Sequence, residues 1–255
     1  MLRVFDLALG YGEEPVLEGV SLEVPRGKFV SLVGPSGSGK TSILRAITGL
    51  LTPHSGRVDL TDGQQSVGFL FQDDALLPWR TVRENVALGL RIRKVSKTTA
   101  LTEADGWLNR LSLDGFGRRF PHELSGGQRK RAAIAQVLAL KPKLLLMDEP
   151  FAALDAIVRT RITQELLNWV EHEHLSVLLV THDLEEALTV SDTVYLLSQG
   201  PRARVQTSYE VSIPRPRDIF ASRRHPSFVP LLERLWNDMS DAMSSPQVSM
   251  SSPQV

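Results

Sequence analysis

The amino-acid sequence predicts a layered α/β fold, with a parallel sheet flanked by helices, an antiparallel β subdomain beside it and a helical subdomain inserted in mid-chain. Three observations carry this expectation. Phe29-Val-Ser-Leu-Val33, Leu144-Leu-Leu-Met147 and Val177-Leu-Leu-Val180 are short apolar runs bounded by polar or turn residues, as strands covered on both faces are. Each run leads into a segment of helical spacing, at 41–48, 155–170 and 183–190, which is the alternation of an α/β layer. Segments 4–7, 21–24 and 57–60 instead alternate apolar with polar residues near Gly or Pro, so they read as an antiparallel edge.

The chain opens on Met1-Leu-Arg-Val-Phe-Asp6, an alternating strand rather than a basic stretch followed by an apolar run, so no secretory signal is expected. Between 81 and 140 the pattern is mostly helical. It places Trp107, Leu108 and Leu111 on one face and Ile134, Val137 and Leu138 on another. Beyond Pro201 the content of Pro and Arg rises through Ile213-Pro-Arg-Pro-Arg217. A last helix then sets Phe228, Leu231, Leu232, Leu235 and Trp236 on one stripe, read as packing on the domain's own core or, alternatively, docking elsewhere. The expected organisation is a main domain over 1–200 with its helical subdomain at about 81–140, an extension over 201–240, and a tail over 241–255. That tail, with Ser-Ser-Pro-Gln-Val at both 244–248 and 251–255, is too polar to fold and is expected to be mobile.

Composition narrows the function. The chain has 29 Lys+Arg against 29 Asp+Glu, a formal net charge of +0, which argues against a dedicated nucleic-acid binder and its basic stripe. Arg215, Arg217, Arg223 and Arg224 lack interleaved aromatics, and nucleic acid is not expected as a partner. With no Cys there is neither a disulfide framework nor a thiolate metal site. No apolar run approaches the roughly 18 residues of a membrane span, so any membrane role has to come through a partner.

Gly34-Pro-Ser-Gly-Ser-Gly-Lys-Thr41 satisfies the phosphate-loop spacing, which a chain of this length meets by chance roughly once in a hundred at average residue frequencies. Its setting between a strand and a helix lets successive N–H groups point at phosphates, with Lys40 as a point charge and the Thr41 hydroxyl toward Mg²⁺. Leu144-Leu-Leu-Met-Asp-Glu149 is a strand ending in two carboxylates, which are costly side by side unless a cation is near. Asp148 is then the metal group and Glu149 the group that polarises water; the other reading of Asp148 is a helix cap. Leu124-Ser-Gly-Gly-Gln128 opens a further helix, with Ser125 as N-cap and Gly126 and Gly127 leaving amides free for an anion. Glu171-His-Glu-His174 reads as a solvated helix end, since alternate residues do not share a helix face.

This pentapeptide, lying between a phosphate loop and an Asp-Glu strand, resembles the ATP-binding-cassette (ABC) ATPases, and the resemblance covers residue 2 to about 199. It implies a phosphate-loop, RecA-like layered core that binds ATP and Mg²⁺. On its motifs, Gly34, Pro35, Ser36, Gly37, Ser38, Gly39, Lys40, Thr41 and Ser42 correspond to the loop that holds the phosphates. Tyr11 resembles the aromatic that stacks on adenine, Gln72 the residue that senses Mg²⁺ and the lytic water, and His182 the switch that contacts the γ-phosphate. Asp155, after Ala153-Leu154, and the Ser125–Gln128 turn resemble segments that face the opposite subunit's ATP. Ala152, where Ser or Gly is common, and Gln136, where Arg is common, depart from the pattern.

The resemblance also implies partners. Leu76, Leu77 and Trp79, in Asp73-Asp-Ala-Leu-Leu-Pro-Trp-Arg80, match the place where a permease helix docks, although internal burial is the other reading. The Leu-Leu-Pro-Trp run is similar to nitrate, sulfonate and taurine importer ATPases. The expectation is an importer subunit acting as a homodimer on the cytoplasmic face of the inner membrane. It would serve a separate permease and, indirectly, an extracytoplasmic solute-binding protein. An exporter subunit or a non-transport cassette is the alternative.

Overall fold

The computed structural model describes residues 1–12, 14–152 and 154–244. Strands β1 (Leu2–Tyr11) and β2 (Glu14–Val24) form a hairpin, after which β3 (Phe29–Val33) enters the main sheet and leads to α1 (Lys40–Ile47). Then follow β4 (Ser55–Leu60), β5 (Val67–Leu70) and the helices α2 (Val82–Ile92), α3 (Lys97–Arg110) and α4 (Gly126–Leu138). The chain returns through β6 (Leu144–Asp148), α5 (Ala156–His172), β7 (Ser176–Val180), α6 (Leu184–Val190) and β8 (Thr193–Leu197). It ends with β9 (Val205–Glu210), α7 (Ile219–Arg224) and α8 (Phe228–Ser244).

The first sheet has the order β2-β1-β4 and is antiparallel, as the alternating segments predict. The second has the order β5-β6-β7-β3-β8-β9, parallel throughout except for β9. Successive residues of a strand face opposite sides, and here both sides are apolar. Leu144, Leu146, Leu178 and Val180 join α1 and the antiparallel sheet in one core. Leu145, Met147, Val177 and Leu179 join residues of α2, α4 and α5 in the other. This two-sided burial places the parallel sheet in the centre and turns its carboxyl ends toward the connecting loops.

The chain shows no break near residue 200. Segment 205–210 alternates apolar and polar residues, and β9 pairs with β8 along the sheet edge. Its Tyr209 packs with Val33, Leu196, Phe228, Leu235 and Met239, and the Tyr209 hydroxyl donates to Asp238 of α8. The apolar stripe of α8 therefore serves the domain's own core, with one correction: Trp236 is 56% exposed and lies outside that packing. The helix runs to Ser244, into the segment expected as tail; 245–255 lie outside the described residues.

The arginines of the Ile213-Pro-Arg-Pro-Arg217 run are structural. Arg215 donates to Asp192 (2.6 Å) and to the Gly27 carbonyl (3.0 Å). Arg217, itself buried, reaches Asp192 (3.3 Å) and the carbonyls of Val190 (2.8 Å) and Ile213 (3.1 Å). Asp192 also accepts from the Phe29 amide (2.9 Å), so one carboxylate joins the start of β3 to the extension. Arg223 sits 3.7 Å from Glu185.

Replacing Asp192 with Ala would leave the buried Arg217 charge unpaired, a loss of about 3–5 kcal/mol for a broken buried pair. The expected outcome is a lower urea midpoint with an unchanged slope.

Candidate functional site

Four parallel strands deliver their carboxyl ends to one edge, the position at which α/β sheets bind ligands. β3 ends in the Gly34–Gly39 loop, β6 in Asp148 and Glu149, β7 in Thr181 and His182, and β5 leads to Gln72. β7 lies between β6 and β3 and sets their relative height, pairing Asp148 with Val180 on one side and Leu32 with Val180 on the other.

The loop wraps the start of α1. Gly39, its N-cap, has φ of 87°, and a Cβ there would lie 2.7 Å from Val16, so only Gly fits. Lys40 is buried and folds back on its own loop, donating to the carbonyls of Gly34 and Pro35, both at 2.8 Å. Burial lowers its pKa, opposed by Glu149 and Asp148. The hydroxyl of Ser38 is buried without a hydrogen-bond partner. The Thr41 hydroxyl donates to Asp148 (3.1 Å), which places the two groups expected to hold Mg²⁺ side by side. Burial raises the Asp148 pKa, the Thr41 hydrogen bond opposes this, and Glu149 raises it further. An orphaned hydroxyl, a lysine resting on carbonyls and a carboxylate with a raised pKa all fit a site built for a polyanion and a cation.

Glu149 has a left-handed φ of 42°, a conformation that a non-Gly residue rarely adopts. Its amide donates to Val180 (2.9 Å), and its carboxylate meets His182 Nδ1 at 3.1 Å. His182 is fixed by the turn around it: Thr181 donates to Glu186 (2.6 Å), and Asp183 caps α6. Tyr11, half exposed, sits over α1 with its hydroxyl 3.1 Å from that of Ser42. The structure thus brings together Tyr11, the 34–42 loop, Asp148, Glu149 and His182.

It does not join the 125–128 turn to them; no hydrogen bond or ion pair among the described residues links that turn to the loop. Ser125 and Gln128 satisfy each other in a capping box: the Gln128 amide donates to Ser125 Oγ (3.3 Å), and the Ser125 amide donates to Gln128 Oε1 (2.9 Å). At Gly127 a Cβ would lie 2.7 Å from Val158, so this turn approaches α5 closely. Asp155 caps α5 through the Val158 amide (3.0 Å), while Ala153 lies outside the described residues. His172 pairs with Glu173 at 3.2 Å, in line with a solvated helix end. Sequence reasoning missed Lys130 and Asn85, buried polar side chains that grip the main chain between 72 and 81. A single Lys or Asn inside a helix gives no signal of that kind.

A phosphate loop beside an Asp-Glu strand end, on a sheet flanked by a helical subdomain that carries its own amide-rich turn, defines an ATP-binding-cassette ATPase domain. The chain belongs to the ABC transporter family, whose sequence model matches residues 17–152. It is 40% identical over 243 residues to the nitrate import ATP-binding protein NrtC of Synechococcus elongatus, covering 92% of this chain and 37% of that protein. It is 42% identical over 210 residues to the sulfate/thiosulfate import ATP-binding protein CysA of Synechocystis sp., covering 79% of this chain and 59% of that protein. The chain therefore spans less than two thirds of the length of these relatives. Among solved structures, the dimeric post-hydrolysis state of the ATP-binding cassette MJ0796 bound to ADP and Pi superposes with a TM-score of 0.74 at 31% identity, covering 84% of this chain and 100% of that one.

The raised Asp148 pKa has a sign that can be tested. Between the ordinary value of 3.8 and the higher folded value, the folded state binds more protons than the unfolded state, so stability falls as pH rises through that window and stays reduced above it. Asp148→Asn should therefore raise the melting temperature of the nucleotide-free protein at pH 7 relative to wild type, with a smaller difference at pH 3.5. Differential scanning calorimetry at both pH values checks this.

Proposed function

We propose that the chain is the ATP-hydrolysing subunit of an importer, energising uptake of a small anion such as nitrate or a sulfonate through a separate permease. The observation that carries the proposal is the shared edge at which Thr41 touches Asp148 and Glu149 touches His182, two steps of sheet apart from one loop. The relatives named as import proteins support the direction of transport.

In this reading the 34–42 loop binds the β- and γ-phosphates of ATP by its amides, with Lys40 exchanging the Gly34 and Pro35 carbonyls for phosphate oxygens. Tyr11 stacks on the adenine. Thr41, Asp148 and Gln72 would hold Mg²⁺, which when bound would offset charge on the phosphates. Glu149 orients a water for in-line attack on the γ-phosphorus. The new O–P bond forms as the bond to the ADP oxygen breaks, and the water proton moves toward the carboxylate. His182 holds that carboxylate and reaches the γ-phosphate. Ser125, Gly126, Gly127, Gln128 and Asp155 act on the ATP of a second copy, which makes the working unit a dimer with two shared sites.

The chain would be peripheral, at the cytoplasmic face of the inner membrane, reaching a binding protein only through the permease; no described helix is long and apolar enough to cross a membrane. Docking is supported by the segment after Gln72. Leu76 packs against the core, but Trp79 is 72% exposed. The start of the same segment, Asp74 and Ala75, lines a groove of about 260 Å³ together with Phe71, Leu88, Ile92 and Val137.

Glu149→Gln should keep ATP binding, lower kcat by more than about tenfold and accumulate as an ATP-bound dimer, read by steady-state hydrolysis and size-exclusion chromatography. Trp79→Ala should weaken association with the permease by about 2 kcal/mol, as loss of an aromatic anchor does. Its melting temperature should stay within a degree or two of wild type, because an exposed side chain leaves no cavity. Pull-down from detergent extract together with a thermal scan separates docking from a core role.

A further inference from the structure

We propose that Lys130 is a positioning residue for Gln72, tying the segment that carries Gln72 to the helix that opens with the Ser125 turn, so that the two move as one unit. The proposal rests on the reading of Gln72 as the residue that senses the metal and the water. Lys130 lies on α4, two residues beyond Gln128, and its side chain is only 4% exposed. Its ammonium donates to the Gln72 carbonyl (3.0 Å) and meets Asp74 Oδ1 at 2.8 Å. The other Asp74 oxygen lies 3.6 Å from Arg129 Nε. Burying an ammonium is unfavourable unless partners offset it, and here the partners are a main-chain oxygen of the site segment and a carboxylate two residues on.

The side-chain amide of Gln72 is exposed and makes no hydrogen bond among the described residues. Its place is therefore set by its main chain, and the hydrogen bond on its carbonyl comes from Lys130. The far end of the same segment is held by Asn85 of α2, which is fully buried. Asn85 accepts from the Leu77 amide (2.7 Å) and donates to the carbonyls of Leu77 (3.1 Å), Arg80 (3.1 Å) and Thr81 (3.0 Å). Both clamps belong to the helical subdomain, whereas β5, which leads into the segment, belongs to the sheet. The strap 72–81 is thus hinged on the sheet and carried by the helices. Any displacement of α4 that moves the Ser125 turn also pulls on the Gln72 carbonyl. An apolar residue at 130 could fill the space but could not hold that oxygen.

The test uses the purified 255-residue chain and four variants: Gln72→Ala, Lys130→Met, Lys130→Gln, and the double variant Gln72→Ala/Lys130→Met. The readouts are kcat and KM for MgATP, with urea midpoints. Lys130→Met keeps the length but removes every donor, and it should lower kcat about tenfold at little change in KM, the cost of a misplaced group. Lys130→Gln keeps a donor without the charge and should recover most of the rate. The double variant should be no slower than Gln72→Ala alone, because the two changes act through one group. Should Lys130→Met fold poorly, Asp74→Asn, on a partly exposed residue, should lower kcat in the same direction with KM unchanged. A wild-type kcat for Lys130→Met alongside a slow Gln72→Ala overturns the positioning role alone. So do equal losses in the Met and Gln variants that follow their urea midpoints, or additive losses in the double variant. A wild-type rate for Gln72→Ala overturns the reading of Gln72 itself, and this proposal with it.

Discussion

The Glu149 amide donates to the Val180 carbonyl while the Thr181 amide donates to Leu32, so the carboxyl ends of β6, β7 and β3 are stitched together at the last peptide of each strand. This stitching fixes where the chemistry lies. Because β7 stands between them, β3 and β6 are held about two strand spacings apart, roughly 10 Å, and the loop after β3 must curl across β7 for Thr41 to reach Asp148. The left-handed backbone of Glu149 follows from the same constraint. Its amide continues the ladder to β7 while the chain turns away toward α5, and the side chain is left facing His182. The apolar layers on both faces hold the strands still while polar groups converge at their ends.

How much of this was legible in the sequence depends on the range of the interaction. The three apolar runs, the phosphate loop and the Asp-Glu strand end are local patterns, and each lies where its spacing placed it. Strand order is not local: nothing in 176–180 says that it separates β3 from β6. β9 went unread because six residues of alternation lie between proline-rich stretches, and its pairing with β8 is decided by tertiary contact. Arg215 and Arg217 illustrate the same limit, since an arginine's partner, here Asp192, is invisible until the chain folds. Trp236 fitted the helical stripe by number but is left exposed, because its burial depends on a facing surface that spacing alone does not reveal. Lys130 is the sharpest case, a charge in a helix whose burial depends on a strap from another part of the chain.

Several groups proposed to meet phosphate or metal are already satisfied within the chain, the buried Ser38 hydroxyl excepted. Lys40 rests on two carbonyls, Thr41 on Asp148, and Ser125 on Gln128. Ligand binding is then an exchange of hydrogen bonds in which each net gain is only about 1 kcal/mol for neutral pairs, and more where charge is involved. The largest changes should come from ionic contacts, among them the pairing of the buried Asp148 carboxylate with a cation. A capping box that closes on itself also keeps the Ser125 turn ordered when no second subunit is present.

The antiparallel strand at the end of the sheet has a consequence for handling this domain. β8 is parallel to β3 on one side, and on the other its main-chain groups are covered by β9 alone. Shortening the chain near residue 200 would strip that cover and leave a bare ladder of amides and carbonyls next to apolar Val194 and Leu196, a template for stacking with other molecules. It would also leave Asp192 without its two guanidinium partners. The segment after residue 200 is thus a seal against self-association, and a shortened chain would be lost to precipitation before its catalytic competence could be assayed.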